Sequence, residues 1–296
     1  MMEKWLLPLA LLGCGVAAHA ADTPPDAGGP SGAPGAQTGG DKSGGDKSGG
    51  DKAGGSLTPD RPGFTNGSDT VTPGHVQIEG GVSRTKTLAI NGGVRSTDGP
   101  QLLVRTGLND RTELRLTLPD YITQGAASGL AGTGTGSGGG GQSGFSDGSI
   151  GLRYKLYQSK DGNTKIALTP SLSVPVRSAV TVSGHADPTF SLNGQTQSGA
   201  RWGLSSNLIL SYPTQQGRRV TDYTATGQVT YALSGPLAVF GDFYYDAPVG
   251  NAPSPIADGG FTYRVAPNAQ LDIETGRGTG GAAPVQFYGG GVALRF

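Results

Sequence analysis

The chain has 296 residues, of which 54 are Gly and 20 Pro, and its 22 Lys and Arg balance 22 Asp and Glu. That much Gly, more than twice the ordinary share of about 7 per cent, excludes a helix-rich fold, because each helix-interior Gly costs about 1 kcal/mol relative to Ala. Zero net charge argues against a nucleic-acid partner. Ten Tyr, eight Phe and two Trp argue against a disordered chain. A β-rich protein remains.

Residues 1–20 read as a signal peptide, with Lys4, an apolar stretch from Trp5 to Ala17, and Ala18-His19-Ala20 as a small-x-small cleavage site. The stretch is too short for a spanning helix, which needs roughly 20 residues, so any membrane insertion must use strands. Cys14 is the single cysteine, and no intramolecular disulfide is possible. Its Leu11-Leu12-Gly13 context is similar to a lipoprotein box, although the Ala-x-Ala site favours a thiol discarded with the leader. Residues 21–59 are Gly, Pro and Ser rich and carry the repeat DKSGG, DKSGG, DKAGG from Asp41 to Gly55. With no apolar surface to offset its ordering entropy, this reads as a flexible periplasmic tether.

The segment DRPGF, residues 60–64, sets Arg61 and Phe64 around a Pro-Gly turn just before the first strand. It reads either as a small plug, with Arg61 paired to a luminal acid, or as a plain turn into the next element.

From His75 onward the signal is period two. Val76, Ile78 and Val82 alternate with Gln77 and Glu79, and Leu114 and Leu116 with Glu113 and Arg115. Leu152, Tyr154 and Leu156 alternate with Arg153 and Lys155, and Ile166 and Leu168 with Lys165 and Thr169. Trp202, Leu204, Leu208 and Leu210 follow, then Leu271 and Ile273 against Asp272 and Glu274, and finally Tyr288, Val292, Leu294 and Phe296 against Arg295. Segments of about 9 to 12 residues fit strands crossing a bilayer at a tilt, and aromatics near their ends (Tyr121, Tyr154, Tyr157, Trp202, Tyr212, Tyr223, Tyr231, Tyr245) fit interfacial girdles. A soluble sandwich would share the alternation but bury its apolar faces.

Tight turns are expected at 109–110, 159–162, 234–236 and 266–268, and long connections at 86–99, 121–144, 176–186, 213–218, 248–256 and 278–285. Placing every tight turn on one side requires an added strand at about 187–193. The fold class is then all-β, a transmembrane antiparallel β-barrel of about twelve strands over residues 60–296, with both ends periplasmic. Tyr288, Val292, Leu294 and Phe296 look like the terminal signal read by the barrel-assembly machinery.

DRPGFTNGSDTVTPGHVQIEGGV (60–82), LLVRTGLNDRTELRLTLPDY (102–121), DGGFTYRVAPNAQLDIETGRG (258–278) and the terminal GGGVALRF also carry a resemblance that spans most of residues 60–296 in order. They resemble the outer-membrane transporter-like family labelled putative MetA pathway of phenol degradation. The resemblance implies a small outer-membrane barrel of a Gram-negative bacterium, in contact with membrane lipid and transporting small aromatic or other hydrophobic solutes.

Alternation assigns Gln77, Glu79, Arg105, Glu113, Arg115, Arg153, Lys155, Lys165, Arg201, Asp242, Arg264, Asp272, Glu274 and Arg295 to the lumen. Expected pairs set Glu113 between Arg105 and Arg153, and Asp272 or Glu274 beside Arg295. Such a network either fills a narrow barrel or lines a pore. Barrel enzymes need a His near a Ser or an acid; the mature chain offers only His75 and His185, at opposite ends and without partners at motif spacing. No His, Cys or acid cluster has metal-ligand spacing, and no cofactor is implied. The reading is a channel for small solutes. Its competitor is a non-transporting barrel with a filled lumen that works through its external loops.

Overall fold

The computed structural model describes residues 57–87, 93–127, 141–176, 178, 180, 184–250, 252–279 and 285–296. The expected signal peptide with Cys14, nearly all of the expected tether and most of the Gly-rich stretch at 132–141 lie outside the described residues.

Sixteen strands run β1 (Val76–Thr87), β2 (Gly93–Asn109), β3 (Thr112–Thr117), β4 (Tyr121–Ala127), β5 (Gln142–Phe145), β6 (Gly148–Gln158), β7 (Thr164–Val174), β8 (Pro188–Ser198), β9 (Trp202–Ser211), β10 (Thr214–Gln215), β11 (Arg218–Arg219), β12 (Asp222–Ser234), β13 (Leu237–Pro248), β14 (Ser254–Ala266), β15 (Ala269–Gly278) and β16 (Val285–Arg295). β10 and β11 form a separate two-residue hairpin. β3 and β4 pair with successive halves of β2, so they are one wall strand interrupted at Leu118-Pro119-Asp120. β5 and β6 pair in turn with β4 and β3 and are likewise one wall strand. The wall therefore has twelve antiparallel strands, and it closes because β1 pairs with both β2 and β16. At the seam the backbones of Val76 and Phe296 exchange hydrogen bonds of 3.1 and 2.8 Å.

Inside and outside are inverted relative to a soluble core. Ile273 is 61% exposed and Tyr288 58%, whereas Arg105, Glu79 and Glu113 are each 0% exposed. The alternation thus presents apolar side chains outward and charged ones inward, which removes the sandwich reading. Outward aromatics pack in pairs: Trp202 and Tyr231 at 4.6 Å between ring centroids at the short-turn rim, and Tyr121 and Phe145 at 5.3 Å beside the interruptions of the two broken wall strands.

Every wall connection of two or three residues falls at the end that also holds both chain ends of the wall, 110–111, 199–201, 235–236 and 267–268, and the turn at 159–163 joins them there. Gly162, Gly199 and Gly235 adopt positive φ in three of them. The strand expected at 187–193 is the longer β8. Four expected long connections are shorter because strands run on through them: β1 and β2 leave only 88–92, β4 and β5 only 128–141, β13 and β14 only 249–253 and β15 and β16 only 279–284, whereas the one expected at 213–218 widens to 212–221 and contains the β10–β11 hairpin. Ladder pairing there continues past the apolar band, where both faces turn polar and the sequence signal fades.

Ile273 faces outward near the middle of its strand. Replacing it with Arg should destabilise the refolded barrel by about 2–4 kcal/mol, measured by urea unfolding in lipid vesicles.

Candidate functional site: a charged lumen encircling the N-terminal segment

Residues 57–72, which precede β1, lie inside the barrel. Leu57, Val71, Asn66 and Ser68 are at most 2% exposed. The segment starts at the short-turn end, where Arg264 of β14 donates to the Leu57 carbonyl (2.9 Å) and Gln77 and Arg105 donate to the Thr58 carbonyl. Arg295 of β16 reaches Thr58 Oγ1 at 3.4 Å. The chain then circles the lumen. Gly63 N donates to Glu274 of β15, Phe64 and Thr65 N to Asp242 of β13, and Thr65 Oγ1 meets Thr226 of β12. Asn66 exchanges two hydrogen bonds with Asn207 of β9. Ser68 N donates to Gln195 of β8, and Asp69 receives Lys165 of β7 at 2.7 Å. Val71 N donates to Glu113 of β3, and Pro73 bridges to Gly107 of β2 before the chain enters β1. Every one of the twelve wall strands contacts it.

Two charges anchor this path. Asp60 lies among three guanidiniums: Arg115 at 2.6 Å, Arg153 at 2.9 Å and Arg105 at 3.7 Å. Arg105 also binds Glu79 and Glu113 at 2.8 Å each, and Arg115 binds Glu113 at 2.9 Å. The node thus holds three cations and three anions, one of the anions contributed by the segment. Burial alone would raise the Asp60 carboxyl, but Arg105, Arg115 and Arg153 outweigh it and hold the group far below the usual carboxylate range.

Arg61 turns the other way, to Asp272 at 3.2 Å and Glu274 at 3.7 Å, and also donates to Gln101. Its guanidinium lies over Gly81 and Gly291, where any Cβ would collide with it. Inner-face glycine here is space for an arginine. Gly63, at φ +87°, brings its backbone against Asp242, where a side chain would likewise clash. Phe64 packs on Tyr244 (4.8 Å between centroids) and edge-on to Phe287 (5.6 Å), both inward-facing.

The lumen charges are unevenly distributed, although Asp98 and Glu113 also stand inward on β2 and β3 and Arg264 on β14. Asp222, Asp242, Asp246, Asp258, Asp272 and Glu274 stand on β12–β15, while Arg105, Arg115, Arg153 and Lys165 stand on β2, β3, β6 and β7. Adjacent residues Asp60 and Arg61 reach opposite sides.

Several expected pairs differ. Arg153 stands across the ladder from Glu113 but turns its guanidinium to Asp60, and Arg115 takes its place on Glu113. Arg295 binds Gln77 Oε1 at 2.8 Å, its partner across the β1–β16 ladder, because Asp272 and Glu274 stand opposite Gly291 and Gly289, farther along β16, where Arg61 meets them. Arg201 is exposed in the turn before β9 and bonds the outward Tyr231 hydroxyl at 3.2 Å, so it belongs to the rim and not to the lumen wall. Lys155 is half-buried on the same strand face as Arg153. His75 sits at the short-turn end, with Nδ1 3.3 Å from the Pro73 carbonyl, and His185 lies in the connection before β8 at the opposite end. Among the described residues no group of three or more His, Cys, Asp or Glu could hold a metal ion. What the sequence reading lacked was the part played by Asp60, Thr65, Asn66, Ser68 and Asp69. The only signal was a polar run, DRPGFTNGSD, that fits neither a strand nor a linker of Gly and Ser.

A family model described as Putative MetA-pathway of phenol degradation matches residues 59–296. The chain belongs to that family. The match begins before the first wall strand, so the family's sequence pattern includes the inner segment. Among solved structures, the COG4313 outer membrane channel from Pseudomonas putida F1 is similar over 80% of this chain and 99% of its own, with 13% identity and a TM-score of 0.58. The KdgM porin (12% identity, TM-score 0.45, 73% and 99% covered) and the Pseudomonas putida toluene transporter TodX (10%, 0.44, 79% and 95%) are more distant barrels. No curated protein matches significantly in sequence. The fold is that of an outer-membrane barrel.

Asp60→Asn leaves three buried guanidiniums facing two carboxylates, a change of about 3–5 kcal/mol by analogy with other broken buried pairs. Amide hydrogen exchange over residues 60–71 should rise at least tenfold in this variant while β7–β9 stay protected. Acid acts in the same direction. The stabilisation from Asp60 is full above its ordinary range near pH 4 and is lost as pH falls from there through its lowered value.

Proposed function

We propose that this protein is an outer-membrane channel for small solutes whose lumen is closed by residues 57–72 and opens when that segment withdraws. The observation that carries the reading is the contact of one short segment with all twelve wall strands, which leaves a solute no route that avoids it. Asp60, Arg61 and Phe64 are the anchors: Asp60 on the basic side, Arg61 on the acidic side and Phe64 in the aromatic pair Tyr244 and Phe287.

Glu79, Arg105, Glu113, Arg115, Arg153, Asp242, Asp272, Glu274 and Arg295 then act chiefly as docking groups for the segment and only secondarily as a pore lining. Small aromatic or otherwise hydrophobic solutes are the class we assign, on two supports: the phenol-degradation description of the family and the Phe64, Tyr244 and Phe287 cluster inside an otherwise charged lumen. Tyr288, Val292, Leu294 and Phe296 are assigned to recognition by the barrel-assembly machinery, a role supported by their outward position on the last strand of the wall and by Phe296 being 67% exposed beside the seam.

A second reading, a permanently filled barrel acting through its external loops, is favoured by the density of the same docking bonds. Conductance and solute swelling in vesicles separate the two. Weak flux in the native protein that rises several-fold in Asp60→Asn with Phe64→Ala supports the channel. A folded, heat-modifiable variant whose segment exchanges freely in solution yet passes no more solute would overturn it.

A further inference from the structure

The outer wall carries a second charged feature, apart from the lumen. On the long-loop ends of β1, β2 and β15, Arg84, Lys86, Arg95 and Arg277 share the outward face, following Val76, Ile78 and Val82 on β1 and Leu271 and Ile273 on β15. Lys86 stands directly opposite Arg95 in the β1–β2 ladder and opposite Gln286 in the β1–β16 ladder, and Gln286 is opposite Arg277. With strands about 4.8 Å apart, Arg95, Lys86 and Arg277 lie in one row about 15 Å wide. Arg84 stands one step lower, opposite Tyr288.

Two like charges facing each other across a ladder repel, and none of these four cations forms an ion pair with an acid among the described residues. The four line a cavity of about 800 Å³ at this rim together with Thr275, Gln286 and Tyr288, and the cavity also reaches Thr85, Asp258, Gly276 and Phe287 of the inner face, Asp258 being its one carboxylate.

Height identifies the environment. Lys86 lies ten residues beyond Val76 on β1. At about 3.3 Å per residue and a tilt of about 40°, that places it about 25 Å up the wall, where the apolar band of such barrels ends. Tyr288, 58% exposed, sits just below as an interfacial aromatic. The cations therefore meet the headgroup layer of the outer leaflet, which in a Gram-negative outer membrane is a phosphorylated glycolipid.

We propose that Arg84, Lys86, Arg95 and Arg277 form a binding site for the phosphate groups of an outer-leaflet glycolipid, fixing one lipid against β1, β2, β15 and β16. The phosphate supplies the missing counter-charge between Lys86 and Arg95, and guanidinium forks of Arg95 and Arg277 match its oxygens. The acyl chains lie below, on Val82, Ile273 and Gly290 of β16.

The test uses the full refolded protein in neutral detergent with diphosphorylated lipid A, its dephosphorylated form and inorganic phosphate as probes, read by native mass spectrometry. Diphosphorylated lipid A should bind at least tenfold more tightly than the dephosphorylated form. Lys86→Gln with Arg95→Gln should lose that difference, while Arg111→Gln at the opposite rim should keep it. Lys86→Glu, which gives Arg95 a partner and so preserves the ladder, should fold with normal heat-modifiable migration and also lose binding. Equal binding of the two lipids, unchanged binding in the Lys86→Glu protein, or full displacement by inorganic phosphate at equal phosphate concentration would each overturn the proposal.

Discussion

A carboxylate set among three guanidiniums organises this molecule. Without Asp60, the wall groups Arg105, Arg115 and Arg153 face only Glu79 and Glu113, and one cation is left without an anion in a place with almost no access to water. An unpaired buried charge is among the costliest defects a protein can carry. The wall is thus built for a partner that the barrel strands do not contain, and the chain supplies it from residues just ahead of β1. Arg61 repeats the logic with reversed sign on the acidic side.

This division of charge explains the unusual composition. A barrel that spent its inner face on large side chains could not also hold a peptide. Glycines at 81 and 291 leave the volume that the Arg61 guanidinium occupies, and Gly107 lets the returning backbone at Val71 and Thr72 approach β2. The net charge of zero likewise conceals an uneven lumen, with six carboxylates gathered on β12–β15 and the Arg105, Arg115 and Arg153 node across from them. A summed charge reports on bulk electrostatics and says nothing about such a local field.

The wall was legible in the sequence because a bilayer enforces a simple rule: outward positions must be apolar, and the strand period of two turns that into alternation. The closing strand that ends at Phe296 and the inward set around Glu79, Arg105 and Arg153 follow from it, while the count of twelve needed the turn lengths as well. Strand ends were not legible, since beyond the apolar band both faces are polar while the ladder continues, as at Lys86 and Arg95. Pair partners inside the lumen were also out of reach. Strand adjacency suggests Glu113 with Arg153 and Arg295 with Asp272 or Glu274, but the segment takes Arg153, and the register sets Arg295 opposite Gln77 and leaves Asp272 and Glu274 to Arg61. Its irregular path has no period to detect.

One topological fact about the inner segment bears on how the molecule comes together. It leaves the short-turn end at Leu57 and rejoins that same end at Pro73, Gly74 and His75, so it is a hairpin-like lasso and never passes from one mouth to the other. Nothing has to be threaded. The twelve strands are free to zip shut between β1 and β16 first, with the segment folding in afterwards from below. It can leave by the same route while the closed ladder keeps all its backbone hydrogen bonds.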